Sequence, residues 1–322
     1  MSPSDAHRPR LNRRAIAALV VLLVMAVIAG GLSWRLRHLD IGPHVEHAGG
    51  IYAAFRTDPW MQRVVRRITG GMASTQHSIR FAPGRVSDDW LARQRFRIDA
   101  LDQLSLTLSS PAITDAGVEQ LATANGLVWL DLSQSQVTDA GLLALTELPL
   151  LTTLHLEETS VTDAVIPDLI AMPRLQSINL AGTAITDLGL SSLPPGKIMG
   201  LGLDSKQLTD RVVGSPPFQS AFFWFGLYDA TDESVALLSK LSIKGSLLIQ
   251  GDGLTEAGLK DIENLILGGQ LHAVEFRDVS IAEERLQALR KLNPSCSVQA
   301  GTTEELERIL DRSRPVSNDS IF

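Results

Sequence analysis

A block that contains Thr-Asp occurs four times at a fixed interval, and this repetition constrains the fold more than any other feature. The blocks read LTLSSPAITDAGV, LDLSQSQVTDAGL, LHLEETSVTDAVI and INLAGTAITDLGL, and they place Asp115, Asp139, Asp163 and Asp187 24 residues apart. A short repeat with an alternating apolar core cannot bury its own apolar face, so neighbouring units must stack. The spacing predicts one elongated domain of stacked coils.

The repeat extends in both directions with decreasing regularity. Upstream, IRFAPGRVSD ends at Asp88, and downstream LGLDSKQLTD, FWFGLYDATD, LLIQGDGLTE and VEFRDVSIAE end at Asp210, Asp232, Glu256 and Glu283. These blocks predict nine units, followed by a closing strand at residues 295–299. Irregular outer units are typical of the ends of a repeat array, which must cover its core.

The chain resembles the leucine-rich repeat family over residues 78–300, and the match is strongest at 104–118, 128–142, 152–166 and 176–190. The I-T-D-x-G-L ending is similar to that of F-box-associated and bacterial repeat proteins, although the sequence contains no F-box-like segment. The resemblance implies an α/β solenoid with a parallel sheet on its concave side and helices outside.

The chemistry of one unit explains the recurring residues. In LDLSQSQVTD, Leu130 and Leu132 are two apart on a strand and point inward, so Asp131 faces the concave side. Thr138 is suited to cap a short helix, with Asp139 in its first turn, where the helix dipole favours a negative charge. The recurrent aspartates are therefore interpreted as structural residues rather than as calcium ligands.

A second set of recurring positions is expected to supply side chains that hydrogen-bond to the backbone of the turns. The family often has Asn or Cys there, and this chain has Ser135, Thr159 and Thr183 in its central units. Only these hydroxyls can form a ladder to the turn backbone, because the outer units carry other residues: Pro111, Lys206, Tyr228, Asp252 and Val279.

Residues 15–32, AIAALVVLLVMAVIAGGL, carry no charge and are followed by Trp34. At about 1.5 Å per residue this run spans the roughly 30 Å of a bilayer core, which predicts a transmembrane helix at 15–34. Four arginines precede the run and two follow it, which favours a cytoplasmic N-terminus and a body outside the cytoplasm. A cleaved signal peptide, cut after Val27-Ile28-Ala29, is the alternative.

The charge is divided along the chain. Residues 1–97 contain 15 arginines and 6 acidic residues, a net charge of +9, whereas residues 98–322 contain 14 basic and 30 acidic residues, a net charge of −16. The basic part therefore suits anionic headgroups, or is a solvated linker. The net charge of −7 argues against nucleic acid as a partner. The single cysteine, Cys296, excludes an intramolecular disulfide.

The predicted organisation has five parts: a basic cytoplasmic tail (1–14), the transmembrane helix (15–34), a juxtamembrane linker with a capping helix (35–77), the repeats (78–300) and a C-terminal cap helix with tail (301–322). The capping helix begins at Asp58-Pro59 and ends before Gly70-Gly71. It either covers the open end of the solenoid or lies on the membrane surface, with arginines toward the headgroups.

The register predicts which side chains line the concave face. One column, between the two inward positions of each strand, contains Arg80, Thr107, Asp131, His155, Asn179, Gly202, Trp224, Leu248 and Glu275. Gly200 and Gly202 should leave a gap beside an exposed apolar cluster of Phe222, Trp224 and Leu248. A one-residue slip would instead turn Trp224 into the core. The candidate partner-binding residues are Trp129, Asp131, His155, Asn179, Phe222, Trp224 and Leu248.

No pattern in the sequence indicates catalysis, a metal or a cofactor. Asp131, Ser133 and His155 would lie close together, but no GxSxG turn or oxyanion hole accompanies them. The cluster of His38, Asp40, His44, Glu46 and His47 lies on no recognisable element and is interpreted as part of a solvated linker. The sequence contains no P-loop and no GxGxxG.

Two functions fit these features. The first is a non-enzymatic, membrane-anchored module that captures a protein or peptide on its concave face. The second is a structural or regulatory subunit that contacts a membrane assembly through its Arg-rich juxtamembrane segment. The ligand and the oligomeric state are not indicated by the sequence.

Overall fold

The structure is a computed structural model that describes residues 41–56, 75–82 and 84–302. These residues form an 11-stranded sheet in which the strands follow one another in chain order. β1 is antiparallel to β2, and every later strand is parallel to the one before it. The strands are β1 (Gly50–Arg56), β2 (Thr75–Phe81), β3 (Leu104–Thr107), β4 (Leu127–Asp131), β5 (Thr153–His155), β6 (Ser177–Asn179), β7 (Gly200–Asp204), β8 (Ala221–Tyr228), β9 (Ser242–Gln250), β10 (Ala273–Arg277) and β11 (Ser297–Gly301).

From β2 onward a helical segment separates each strand from the next, as a parallel connection requires. The α-helices are α1 (Gly42–His47), α2 (Asp88–Ile98), α3 (Asp115–Glu119), α4 (Asp139–Leu142), α5 (Ile166–Ala171), α6 (Asp187–Ser191), α7 (Asp210–Val213), α8 (Asp232–Leu238), α9 (Glu256–Leu267) and α10 (Glu283–Leu292). Short 3-10 turns lie at Leu143–Leu145, Asp163–Val165 and Pro216–Gln219.

One apolar core runs between the sheet and the helices, from Ile41 to Val298. Leu130, Leu132 and Leu154 are each 0% exposed, so the predicted inward positions are confirmed. Strands β2 to β10 correspond to the nine predicted units, and β11 is the predicted closing strand, displaced by two residues. The α/β repeat solenoid with a parallel sheet is therefore confirmed for the described residues.

The start of the described chain differs from the prediction. Residues 35–77 were expected to be a linker and a helix, but α1 and the antiparallel strand β1 lie there. Ile41 and Val45 are buried in the core and cover its first end. The sequence did not reveal this unit because β1 lacks the repeat pattern and pairs in the opposite direction.

Several predicted segments lie outside the described residues. They are the basic tail (1–14), the transmembrane helix (15–34), the capping helix that begins at Asp58 and most of the C-terminal part (303–322). Among the helices that the structure describes, none is long and apolar enough to cross a membrane.

The recurrent Thr-Asp pair links neighbouring repeats. Thr138 caps α4, since its hydroxyl accepts a hydrogen bond from the amide of Ala140 at 3.3 Å. The same threonine donates to Asp115 of the preceding repeat, from its amide to Oδ1 at 2.8 Å and from its hydroxyl to Oδ2 at 2.7 Å. The cap predicted for Thr138 is confirmed, and the aspartate has a second role that sequence reasoning missed. It fixes the helix start of the next repeat.

This Asp–Thr bridge recurs along the array. Its two bonds also join Asp139 to Thr162 and Asp163 to Thr186. The same pair of bonds is found outside the regular centre, in Asp88 with Thr114 and Asp232 with Thr255. Both oxygens of these carboxylates are occupied by protein donors, which gives the aspartate column its structural role.

In three of the repeats a glycine follows the Thr-Asp pair by two residues and leaves room for this carboxylate. A Cβ at Gly189 would lie 2.1 Å from Oδ1 of Asp163, and one at Gly141 would lie 2.4 Å from Oδ1 of Asp115. In the repeat between these two, Val165 stands at the equivalent position, and the helical segment there begins as a 3-10 turn. The T-D-x-G motif is therefore one unit, in which the glycine leaves space for the aspartate side chain of the preceding repeat.

The predicted hydroxyl ladder forms in part. Thr159 and Thr183 donate to the carbonyls of Leu156 and Leu180, each at 2.7 Å. The hydroxyl of Ser135 is buried without a hydrogen-bond partner in the structure. In the following repeat Gln207 performs this role, because its side-chain amide donates to the carbonyl of Leu180 at 3.0 Å and to the hydroxyl of Thr183 at 3.2 Å.

We expect Gly189→Ala to lower the free energy of unfolding by about 2 kcal/mol, because the new methyl group collides with the Asp163 carboxylate. In an Asp163→Ala background the collision is removed, so the same change should cost less than about 0.5 kcal/mol. Urea unfolding of the four proteins in this cycle measures the difference. Equal costs of Gly189→Ala in both backgrounds would contradict the proposed fit of carboxylate and glycine.

Candidate functional site

The strand pairing defines the column of side chains on the concave face, the side of the sheet turned away from the helices. Thr107 pairs with Asp131, Asp131 with His155, and His155 with Asn179. The column then continues through Gly202, Gly226, Leu248, Glu275 and Gln299. The structure therefore confirms the predicted column except in β8, where Gly226 takes the place predicted for Trp224.

Trp224 is displaced along its strand by two residues, so it still faces the concave side. It pairs with Gly200 rather than with Gly202. The prediction aligned β8 from the Thr-Asp that follows it, and the connection between that strand and Thr231 is two residues shorter than in the regular repeats. A shift of two preserves the alternation of faces, whereas a shift of one would have reversed it.

Phe222 does not face the concave side as predicted. It is 2% exposed and lies in the core, with ring centroids 5.6 Å from Phe218 and 5.4 Å from Phe225. The register of β8 against β9 shifts between Phe222 and Trp224, and this irregularity reverses the alternation at that point. The expectation of an exposed Phe222 was wrong for this reason.

Three aromatic rings cross the middle of the face. The ring of His155 lies between two tryptophans, with centroids 5.2 Å from Trp129 and 6.4 Å from Trp224. The histidine and Trp224 are stacked at an interplanar angle of 17°. All three side chains are partly exposed. Two predicted site residues, from strands β4 and β8, therefore lie on either side of a third from β5.

A polar network lies beside these rings. The side-chain amide of Asn179 donates to the carboxylate of Glu157 at 3.0 Å and to the hydroxyl of Tyr228 at 2.8 Å. Asn179 is 0% exposed, and its Oδ1 accepts from the amide of Ala181 at 3.1 Å. Both the nitrogen and the oxygen of this side-chain amide form hydrogen bonds, so Asn179 holds Glu157 and Tyr228 in place.

Asp131 and Leu248 frame this network. The carboxylate of Asp131 accepts from the amide of Ser133 at 2.9 Å and from the hydroxyl of Ser109 at 3.1 Å. Leu248 is 4% exposed and packs with Tyr228, Ala181 and Trp224. Leu248 was predicted to be exposed, but it lies under neighbouring side chains on the concave face.

The gap predicted at Gly200 and Gly202 is occupied by side chains of the preceding strand. A Cβ at Gly202 would lie 2.3 Å from Oδ1 of Asn179, and one at Gly200 would lie 2.4 Å from the hydroxyl of Ser177. The glycines therefore let polar side chains lie across the sheet instead of leaving an open depression.

Burial and like charges shift the titration of the centre. Burial, followed by the charges of Asp131 and Glu158, raises the pKa of Glu157 to about 7, although Arg277 and the Asn179 hydrogen bond act against this rise. Burial also lowers the pKa of His155, opposed by Asp131 and assisted by Arg277. Tyr228 has a raised pKa, chiefly because it is buried. The site therefore changes its charge near neutral pH.

Sequence reasoning missed two residues of this centre, Tyr228 and Arg277. Tyr228 was assigned to a turn because of the two-residue displacement of β8. Arg277 lies two residues beyond Glu275 on the same face, and its guanidinium contacts that carboxylate at 2.6 Å. A second column, drawn two residues further along each strand, would have found Arg277, whereas Tyr228 comes into that column only through the displacement of β8.

The centre can bind polar groups between aromatic faces. Among the described residues Ser133 and His155 share no hydrogen bond, and the Asp131 carboxylate is held by a serine hydroxyl and a backbone amide. Within the described part of the chain, no three His, Cys, Asp or Glu side chains are grouped closely enough to hold a metal ion. His44, Glu46 and His47 lie on α1, whereas no element was predicted for them, and His38 and Asp40 lie outside the described residues.

Comparisons with known proteins give a family match and similar solved structures. Residues 172–193 match the family model of the leucine rich repeat. The structure is similar to an internalin C2 from Listeria monocytogenes, with 20% identity and a TM-score of 0.31, over 76% of this chain and 93% of that one. It is also similar to the internalin inlF from the same organism, with 17% identity and a TM-score of 0.31, over 78% and 79% of the two chains. No curated protein matches the chain. The family match bears out the predicted leucine-rich repeat at residues 172–193, and identities this low indicate nothing about a ligand.

We expect Glu157→Gln to stabilise the protein at pH 8 by on the order of 2 kcal/mol, because it removes a carboxylate whose ionised form is destabilised by burial. The folded pKa lies above the ordinary value of 4.5, so the wild-type protein loses stability as the pH rises from about 4.5 through about 7. The advantage of the variant should therefore vanish near pH 4. Chemical unfolding at both pH values measures it, and a difference that does not depend on pH would contradict the assigned burial of this carboxylate.

Proposed function

We propose that this leucine-rich repeat protein is a non-enzymatic scaffold that binds a protein or peptide partner at the centre of its concave face. The observation that carries the proposal is the row formed by Trp129, His155 and Trp224, which stands partly exposed beside Asp131 and Glu157. Aromatic side chains rimmed by polar groups are typical of binding surfaces, and tryptophan is enriched among the residues that dominate binding energy.

The rigidity of this surface supports a binding role. Asn179 is fully buried and holds Glu157 and Tyr228, and Leu248 supports Trp224 from below. Side chains fixed before binding lose less conformational freedom when a partner arrives. A partner would therefore meet a preorganised surface of aromatic faces and hydrogen-bonding groups.

A photo-crosslinking amino acid placed at Thr153 should capture the partner in cells. Thr153 lies beside Trp129 on the concave face, whereas Leu188 is 60% exposed on the outer helix α6 and provides the matched control position. We expect crosslinks from residue 153 and none to the same partner from residue 188. The reverse pattern would contradict a concave binding face.

With that partner purified, Trp224→Ala should weaken binding at least about tenfold, because the exposed anchor is lost. Leu188→Ala removes a similarly apolar side chain from the outer surface and should leave the affinity unchanged. Isothermal titration measures both affinities, and thermal unfolding shows that each variant is folded. Unchanged binding by a folded Trp224→Ala protein would contradict the proposal.

The scaffold is further proposed to be anchored in a membrane by residues 15–34, with its repeats outside the cytoplasm. The support is the uncharged run at 15–32 and the excess of arginine before it. Tethering would confine the binding face to the membrane plane and raise its effective concentration for nearby partners.

Alkaline carbonate should leave the wild-type chain in the membrane fraction. The double variant Leu23→Arg, Val24→Arg should be released, because each arginine costs about 3 kcal/mol at the centre of a spanning helix. Leu36→Arg, outside the run, is the control and should stay with the membrane. Release of the wild-type chain would contradict the anchor, and protection of the repeats from protease added to intact cells would contradict the orientation.

A further inference from the structure

A separate cavity opens on the concave face at the first repeats, where strands β2 to β6 begin. Its volume is about 660 Å³, and Gln76, Arg80, Gln103, Trp129 and Arg174 are among the side chains that line it. Small-molecule sites commonly have volumes of about 300–1,000 Å³. The cavity therefore has the size of a site for a small organic ligand rather than for a folded domain.

The charge of the cavity is opposite to that of the domain around it. Two guanidinium groups, Arg80 and Arg174, line it, and the described residues that line it include no aspartate or glutamate. Residues 98–322 nevertheless carry a net charge of −16. Arginine stays protonated at all accessible pH values and presents a planar set of donors that matches a carboxylate. Among the residues that the structure describes, cationic side chains therefore line the cavity, although the domain around it is acidic.

Arg174 is available to a ligand. Its residue is exposed, and its side chain forms no salt bridge or hydrogen bond with any part of the chain that the structure describes. It precedes β6, whereas Arg80 belongs to β2, so the two guanidinium groups approach the cavity from different repeats.

The remaining wall is neutral or apolar. His77 is held by the hydroxyl of Tyr52 at 2.9 Å, and burial lowers its pKa, opposed by the charge of Asp102. The histidine therefore adds no positive charge at neutral pH. Val128, Trp129 and Leu150 supply an apolar side, in which the indole offers a flat surface for an aromatic ring.

We infer that this cavity binds a small organic anion, with its carboxylate at Arg174 and a flat apolar body against Trp129. The site lies beside the proposed partner-binding centre and is separate from it in chemistry, because the centre carries Asp131 and Glu157. Trp129 borders both, since its ring also lies 5.2 Å from that of His155. Because the probes are small molecules, binding of the anion is tested without any protein partner.

The probes are aromatic carboxylates, each paired with its primary amide, such as indole-3-acetate with indole-3-acetamide and 2-naphthoate with 2-naphthamide. Saturation-transfer NMR with the full chain in mild detergent should detect the carboxylates at least about tenfold more tightly bound than the amides. Raising the salt concentration from about 0.05 M to about 0.5 M should weaken only the carboxylates.

Arg174→Gln should weaken carboxylate binding about tenfold and leave the amides unaffected. Arg211→Gln is the matched control, since it removes the same charge from an exposed position on the outer helix α7 and should change nothing. Comparing the two variants in the same detergent also cancels any partition of the probes into micelles.

Three results would overturn the inference. They are equal binding of carboxylates and amides, full carboxylate affinity in a folded Arg174→Gln protein, and no carboxylate binding below about 10 mM in the wild-type chain. Because Arg174 is exposed, thermal unfolding should be the same in the variant and the wild type. A changed unfolding temperature would direct the test to Arg174→Lys, which keeps the charge and should keep most of the affinity if the anion is bound.

Discussion

The bridge between an aspartate of one repeat and the capping threonine of the next is the interaction on which the array depends. It joins two helix starts that are 22 to 26 residues apart in sequence, and it does so with both oxygens of the carboxylate in most repeats. The threonine is thereby committed at once to its own helix and to its neighbour. A repeat therefore depends on the preceding one for the position of its helix, which couples local capping to the stacking of the whole domain.

One departure from this bridge shows how the fold is maintained without it. The aspartate of the sixth unit, Asp210, pairs with Lys240 instead of with Thr231 of the seventh. Thr231 then forms a capping box with Ser234 inside its own helix, so the helix start is satisfied locally. This is the same part of the array in which β8 is displaced by two residues. The loss of the bridge and the change in register occur together, and the strand that results brings Trp224 and Tyr228 to the concave face.

Glycines determine the packing on the concave face, as they do at the starts of the helices. Glycines at 202 and 226 allow neighbouring side chains to lie across the sheet, since a Cβ at Gly226 would be 3.0 Å from both Trp224 and Tyr228. Packed in this way, Asn179 becomes fully buried on a face that alternation alone would leave in solvent. The side-chain amide of Asn179 donates a hydrogen bond to the carboxylate of Glu157, which lies in a site of low polarity. This burial raises the pKa of Glu157.

The sequence by itself determined the repeat, its inward leucines, the threonine caps and the column of outward residues from Arg80 to Gly202, because each is set by local periodicity. The tertiary structure decided the features that depend on a second strand or repeat. These are the carboxylate bridge, the antiparallel first strand, the inward turn of Phe222, the cover over Leu248 and the contact of Tyr228 with Asn179. The physical reason is that periodicity specifies which face a side chain points to, whereas a short connection or a strand irregularity specifies which neighbours it meets there.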